Sequence, residues 1–434
     1  MPALPPSTVP LLIGASSLMF AGGLNGLILP VRGAQEGFSA FSLGLLGTGW
    51  AIGFIAGCLI VPPMVQRVGH IRAFGAMTAL AAVSILMSLL LMHPLAWVPL
   101  RALAGFCFAG AQQIMESWLN EGSGKDTRGR VFGVYAMVNL ISNTAGQMVL
   151  PLGDTSAATF FVLGAVFYTL ALIPTALYAT HQPRPLTEVS LDIGRLWRNS
   201  PVAVFGIVLI GLANSTFGTL AAVYGNQIGM SVTAIAVFVS ATLVAGALAQ
   251  VPVGFASDRV DRRLVLIAVC VGAVATSAWF ITAAPRDIVP ILIGAGFFGA
   301  FIHTMYPLLI SHANDHAPEG DFLRTAGGLL LLFGIGSVAG PLIAGGMMSL
   351  AGPEGMFVTI AAAHVTVIAF AAWRIVRRPA PEHGEYVRVP TARYNTPQSL
   401  VLNPQAADSD QREQAQARGT AAPSPDAAAG EKPT

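Results

Sequence analysis

The stretch Gly254-Phe-Ala-Ser-Asp258-Arg259-Val-Asp261-Arg262-Arg263 crowds five charged side chains into ten residues. It joins two apolar runs, 232–256 and 264–284, neither of which contains a charged side chain. About 20 apolar residues are enough to cross the bilayer core. The stretch therefore reads as a tight turn between two membrane-crossing helices. Working outward, twelve such runs cover 9–31, 41–64, 71–92, 95–117, 130–152, 157–180, 200–224, 232–256, 264–284, 288–311, 325–348 and 355–376. The first has no basic segment before it and no small-residue cleavage pattern after it, so it reads as a retained span.

Composition agrees. The 434 residues are 54% hydrophobic and 10% charged, with a mean hydropathy of +0.66. A soluble domain carries about 25% charged residues. An ordinary soluble enzyme, a nucleic-acid binder, a disordered chain and a coiled coil are all excluded. The 23 basic and 21 acidic residues nearly cancel, so no polyanionic partner is implied. Cys58, Cys107 and Cys270 each lie inside an apolar run, and no disulfide framework follows from them.

Loops after even-numbered runs hold twelve Lys or Arg, from Arg67 to Arg324, whereas those after odd-numbered runs hold Arg32 and Arg286. The positive-inside rule then places the even loops and both termini in the cytoplasm. Residues 378–434, rich in Ala, Pro, Gln and Asp, cannot build a core and read as a disordered cytoplasmic tail.

The chain also repeats itself. Val31, Gly33, Gln35, Gly37 and Ser39 match Val223, Gly225, Gln227, Gly229 and Ser231 at an offset of 192. Arg67-Val68 matches Arg259-Val260 at the same offset, and Gly105-Phe106 matches Gly296-Phe297 at 191. Arg130, Gly133, Ala145 and Gly146 match Arg324, Gly327, Ala339 and Gly340 at 194. The expected architecture is all-α and integral to the membrane: twelve transmembrane helices in two parallel six-helix repeats. The expected division is a first bundle over 1–180, a cytoplasmic linker over 181–199, a second bundle over 200–377, and the tail.

With that repeat in place, the loop from Gly254 to Arg263 resembles the signature G-x-L-x-D-R-x-G-R-R of the major facilitator superfamily, with Asp261 where the family prefers Gly. Gly254 would let a neighbouring helix approach, and Asp258 with Arg259, Arg262 and Arg263 would pair across the cytoplasmic mouth as a gate. The bland alternative is a charged turn that obeys the positive-inside rule. The first-half counterpart, Pro62 to His70, keeps Arg67 and Gly69 but has Gln66 for the Asp. A neutral Gln cannot make the charge-assisted bond. Arg101 and Gly105 in the fourth run resemble the family's R-x-x-x-G motif. Glu116-Ser-Trp-Leu-Asn120, Arg128-Gly-Arg130, Leu29-Pro30-Val-Arg32, Glu36-Gly37-Phe38-Ser39 and Ser200-Pro201 are similar to the bacterial YcaD-like branch of the family.

Individual polar residues inside the runs supply the candidate site. Arg101, Gln112 and Glu116 share a helix face, although Arg101 and Glu116 stand about 22 Å apart along the axis. An intramembrane ionisable group is expensive to keep. Glu116 reads either as a titrating carboxylate or as an interfacial anchor paired with Arg128 or Arg130. Arg101 cannot release a proton, but it can bind an anion or bias a carboxylate. Tyr135, Asn139, Asn143 and Gln147 form one stripe, which either lines a cavity or glues helices together. Asn25 and Asn214 lie mid-span as cavity candidates. His303 occupies the repeat position of Gln112 and could carry a proton or simply hydrogen-bond. His364 lies in the last, peripheral run. Gly340-Pro341 and Gly345-Gly346 read as close helix contacts. Coupling candidates rank Glu116 first, His303 second, and Glu36 beside Arg32 third; Asp154 and Glu354 lie at outer ends.

No G-x-x-x-x-G-K-[ST] occurs, so a gradient must supply energy. No spacing of His, Cys and carboxylates suggests a metal, and no cofactor is implied. The expectation is a monomeric secondary active transporter in the bacterial inner membrane. It would move a small molecule by alternating access, coupled to a proton gradient. The alternative is a membrane sensor on the same scaffold, with the tail as its output. A membrane-embedded enzyme would need a clustered nucleophile and base inside the runs, and none is found.

Overall fold

The computed structural model describes residues 8–121, 128–178, 192–317 and 322–377, and within them every regular element is a helix. The expected tail and most of the expected linker lie outside the described residues. The first half contains α1 (Thr8–Gln35), α2 (Ala40–Val68), α3 (His70–Leu90), α4 (Pro94–Glu121), α5 (Arg128–Met148), α6 (Thr159–Leu170) and α7 (Leu172–Tyr178). After α8 (Ile193–Asn199) come α9 (Pro201–Gln227), α10 (Val232–Ser257), α11 (Arg262–Ala283), α12 (Ile288–Ile302), α13 (Met305–Asn314), α14 (Phe322–Ala351) and α15 (Gly355–Arg377).

Two of the twelve expected spans are interrupted. The sixth is α6 with α7, and the tenth is α12 with α13. Proline causes both breaks. Pro174 has no N–H to offer the Leu170 carbonyl, and Pro307 has none for the carbonyl of His303. Among the described residues, eleven helical stretches are long and apolar enough to cross a membrane, counting each interrupted span as one. The twelfth, α5, is less apolar and falls outside that count, while completing the six helices of the first half. Its stripe of Tyr135, Asn139, Asn143 and Gln147 lowers its apolar content, and it faces protein on two sides, α1 and α10.

The repeat survives as identical local chemistry. Gly37 and Gly229 both take the left-handed backbone, at φ +76° and +81°, which glycine adopts without a Cβ clash. Two residues later, Ser39 and Ser231 each cap the next helix, accepting from Ser42 N and Ala234 N. The Phe38 and Met230 amides reach back to the carbonyls of Gly33 and Gly225, closing the same helix-ending motif in both halves. Helix pairing repeats too. In the first half α1 lies against α5 and α6, α2 against α4, and α3 against α6; in the second, α9 lies against α14 and α15, α10 against α12, and α11 against α15.

Lipid-facing positions keep exposed apolar side chains such as Val162, Ile173, Leu248, Phe297 and Ile343. The halves meet chiefly along α2–α14, with α9 against α1 and α2 and α5 against α10. Small residues permit the first contact: a Cβ on Gly44 would collide with the Pro341 carbonyl, and one on Gly345 with that of Ala40. Gly340 likewise seats against the Leu212 carbonyl of α9. Thr48 Oγ1 donates to the Val338 carbonyl at 2.8 Å, and Ser240 Oγ to Gln147 Oε1 at 2.9 Å. These contacts start at the end opposite the Arg-rich loops. They run past the middle on the α2–α14 side.

Candidate functional site

Between the halves lies a cavity of about 350 Å³, within the range of about 300–1,000 Å³ usual for small-molecule sites. Four helices of the first half and four of the second contribute to its wall. Gln112, Asn139 and Asn143 reach it from α4 and α5, and Asn214 from α9. His303 reaches it from the break between α12 and α13. Repeat mates Gln112 and His303 thus face the same space. His303 fits because its neighbour on α10 is Gly246, where any Cβ would strike the imidazole.

The polar stripe of α5 divides by depth. Asn139 and Asn143 line the cavity; Gln147, nearer the opposite end, bridges Asn143 at 3.0 Å and Ser240 of the second half. Tyr135, at the other end of the stripe, is buried and donates to Glu116 Oε1 at 3.4 Å. Glu116 itself is fully buried (0% exposed) in α4; Arg130 stands exposed on α5, and the other expected partner, the Arg128 side chain, lies outside the described residues. The Tyr135 hydroxyl also lies beside Gln112 and Asn139, both of which line the cavity. One hydroxyl therefore separates the buried carboxylate from the cavity wall.

Two expected cavity residues lie elsewhere. Asn25 is six residues beyond Met19, which lines the cavity, so it points about 120° away around α1. It sits buried inside the first half, with Nδ2 donating to the Tyr168 hydroxyl at 3.4 Å. Arg101 shares a face with Gln112 but stands about 16 Å closer to the closed end. It is half-buried near Tyr168 and is not among the cavity residues. Arg32 and Glu36 pair with each other at 2.7 Å at the helix end, and Gln35 bonds Thr155 at 2.8 Å. They tie α1 to the loop before α6, away from the cavity. Asp154 in that loop is held below its ordinary value by the hydroxyl and backbone N–H of Ser156. Glu354 pairs with Arg286 at 3.1 Å, and His364 bonds the Ile360 carbonyl within α15.

Among the described residues, the charged loop after α10 is held by bonds within the second half. Arg262 Nε lies 2.7 Å from Asp315 Oδ2, with both side chains almost fully buried. Asp258 is 3.5 Å from Arg262 and largely exposed, and Ser257 Oγ, which accepts from Arg262, donates to the Gly254 carbonyl at 2.9 Å. Arg263 grips Asp261 at 2.7 Å. Partial burial pushes the Asp261 carboxyl up, yet the Arg263 side-chain and backbone donors outweigh it and hold the group below the usual carboxylate range. Arg259 lies over the Phe255 ring. These bonds run within the second half, with α13 and its following turn as the anchor. Asp315 carried no sequence signal, since it lies 53 residues from Arg262.

The aromatic wall was also missed by sequence reasoning. Trp50 and Phe54 of α2, Phe108 of α4, Tyr306 of α13 and Phe333 of α14 all line the cavity. The one signal available was Pro307, four residues after His303, which marks the interrupted span where binding sites of carriers gather.

A model of the Major Facilitator Superfamily matches residues 11–238 and 203–406. The chain is 26% identical over 357 residues to the "Uncharacterized MFS-type transporter YcaD" of Shigella flexneri serotype 5b (strain 8401), covering 81% of this chain and 91% of that protein. YcaD of Escherichia coli O139:H28 (strain E24377A / ETEC) matches at the same identity and coverage. Among solved structures, the nucleoside transporter NupG superposes with a TM-score of 0.73 at 14% identity, covering 86% of this chain and 100% of that one. A bacterial homologue of the human lysosomal transporter Spinster, in an inward-facing and occupied conformation, gives 0.69 at 14%, covering 86% and 97%. With paired six-helix halves around one central cavity and family matches across both halves, the chain belongs to the Major Facilitator Superfamily and is a multi-pass membrane transporter.

Proposed function

We propose that this transporter carries a small molecule across the bacterial inner membrane by rocking its two halves, and that Glu116 couples the movement to protons. The observation that carries the reading is the placement of Glu116. It is a fully buried carboxylate joined through Tyr135 to the wall of the central cavity. A carboxylate kept inside a membrane protein is costly and is retained where its charge is used. A bound solute that moves Asn139 or Gln112 would move the hydroxyl that bonds Glu116, which gives solute and proton a shared element. His303 stands second as a titratable group on the wall, and Glu36, paired with Arg32 away from the cavity, stands third. By the distribution of basic loops, the Arg-rich end is cytoplasmic. Both termini then lie on that side, and the contacts across α2–α14 and α5–α10 close the outer side. The chain works as a monomer, with the cavity formed by its own two halves.

Purified protein in liposomes loaded with a pH-reporting dye tests this reading. A neutralised extract of bacterial small molecules added outside should drive a proton flux that needs the protein. Solute flux without proton movement would remove the coupling and leave a uniporter.

A further inference from the structure

We infer that the central cavity takes an uncharged, planar solute with a hydrogen-bond donor and acceptor side by side on one edge, as in a carboxamide or a lactam. The inference names the substrate class and rests on the transport reading.

Charge is the first ground. Among the described residues that line the cavity there is no Asp, Glu, Lys or Arg. A charged solute would give up its hydration with no wall charge to replace it.

Hydrogen bonding is the second. Asn139 is 6% exposed and lines the cavity, and apart from the Tyr135 hydroxyl beside it neither its Nδ2 nor its Oδ1 has a hydrogen-bond partner. Across the cavity, Asn214 Oδ1 is without a partner, and the His303 ring faces the same space. Buried amides in folded proteins are bonded as a rule. A side-chain amide presents one donor edge and one acceptor edge, which matches the N–H and C=O of another amide held in its plane.

Shape is the third. Trp50 and Phe54 stack at 5.0 Å in the first half, and Tyr306 meets Phe333 edge-on at 5.1 Å in the second. Aromatic faces contributed by both halves favour a flat ring packed against them. The volume of about 350 Å³ holds a solute of one or two rings.

The test uses benzamide, pyridone and quinazolinone as uncharged probes, with benzoate and benzamidinium as the anion and cation of the same shape. Cyclohexanecarboxamide keeps the amide and loses the flat ring. The uncharged planar probes should raise the melting temperature of the full-length protein in detergent. The two ions should bind at least about tenfold more weakly, as should the non-planar amide, because a site built for one hydrogen-bonding pattern rejects its mismatches. Asn139→Leu should weaken benzamide binding by about tenfold or more while leaving the unliganded melting temperature within a few degrees of the parent, since the Tyr135 hydroxyl is the one polar group beside that amide. Equal binding of benzoate or benzamidinium, or no stabilisation by any of the three uncharged planar probes, overturns the assignment. Binding without exchange in proteoliposomes supports the substrate class and counts against transport, so the two readings fail separately.

Discussion

The Tyr135 hydroxyl, on α5, donates to the Oε1 of Glu116, on α4, at 3.4 Å, and both residues are buried. The bond spans the two helices that supply the first half's polar cavity wall. It places an ionisable group one side chain behind the surface that a solute would touch.

Tyr135→Phe removes that donor and keeps the ring. Buried interhelical hydrogen bonds in membrane proteins are worth about 0.6 kcal/mol on average, so the variant should fold and melt within a few degrees of the parent. Gradient-driven accumulation in proteoliposomes should slow while solute exchange continues. Equal slowing of both would mean that Tyr135 acts on helix packing and not on Glu116.

Asp315→Asn and Asp258→Asn separate anchor from gate. Removing one partner of a buried ion pair costs about 3–5 kcal/mol, and Arg262–Asp315 is such a pair. Asp258 is largely exposed at 3.5 Å from the same arginine, where ion pairs are worth about 0–1 kcal/mol. Thermal unfolding in detergent should therefore show Asp315→Asn strongly destabilised and Asp258→Asn near the parent. If Asp258 also gates, its variant should be well expressed but slow in transport; normal flux would restrict Asp258 to the charged turn.

Gly44→Leu addresses the closed end. Any side chain there meets the Pro341 carbonyl of the other half, so the halves could no longer close along α2–α14. Flux should fall at least about tenfold, with the fold retained, if this contact forms in each cycle. Unchanged flux would show that α2 and α14 need not approach this closely during transport.

Much of the architecture is legible in the sequence, because turn chemistry and apolar length are local properties. Gly37 with Ser39, and Gly229 with Ser231, specify the same turn in both halves before any contact is known. Gln112 and His303, paired through the repeat, do face one cavity. Rotation about a helix axis is less legible. Asn25 and Met19 share α1, yet only Met19 lines the cavity, because nothing local distinguishes a face turned toward Tyr168 from one turned toward solute. The aromatic wall is hidden for a related reason. Trp50 and Phe333 have the same apolar character as residues that face lipid. Asp315 comes beside Arg262 only once α13 has folded against α11.

The central claim is that Glu116 carries the coupling charge, and transport by Glu116→Gln in proteoliposomes tests it most directly. The substitution keeps size and hydrogen-bonding capacity but cannot ionise. Exchange of solute across the membrane should persist near the parent rate, while accumulation driven by an imposed pH gradient should vanish. Accumulation equal to that of the parent would contradict the claim, and loss of exchange together with the folded protein would make Glu116 a structural anchor.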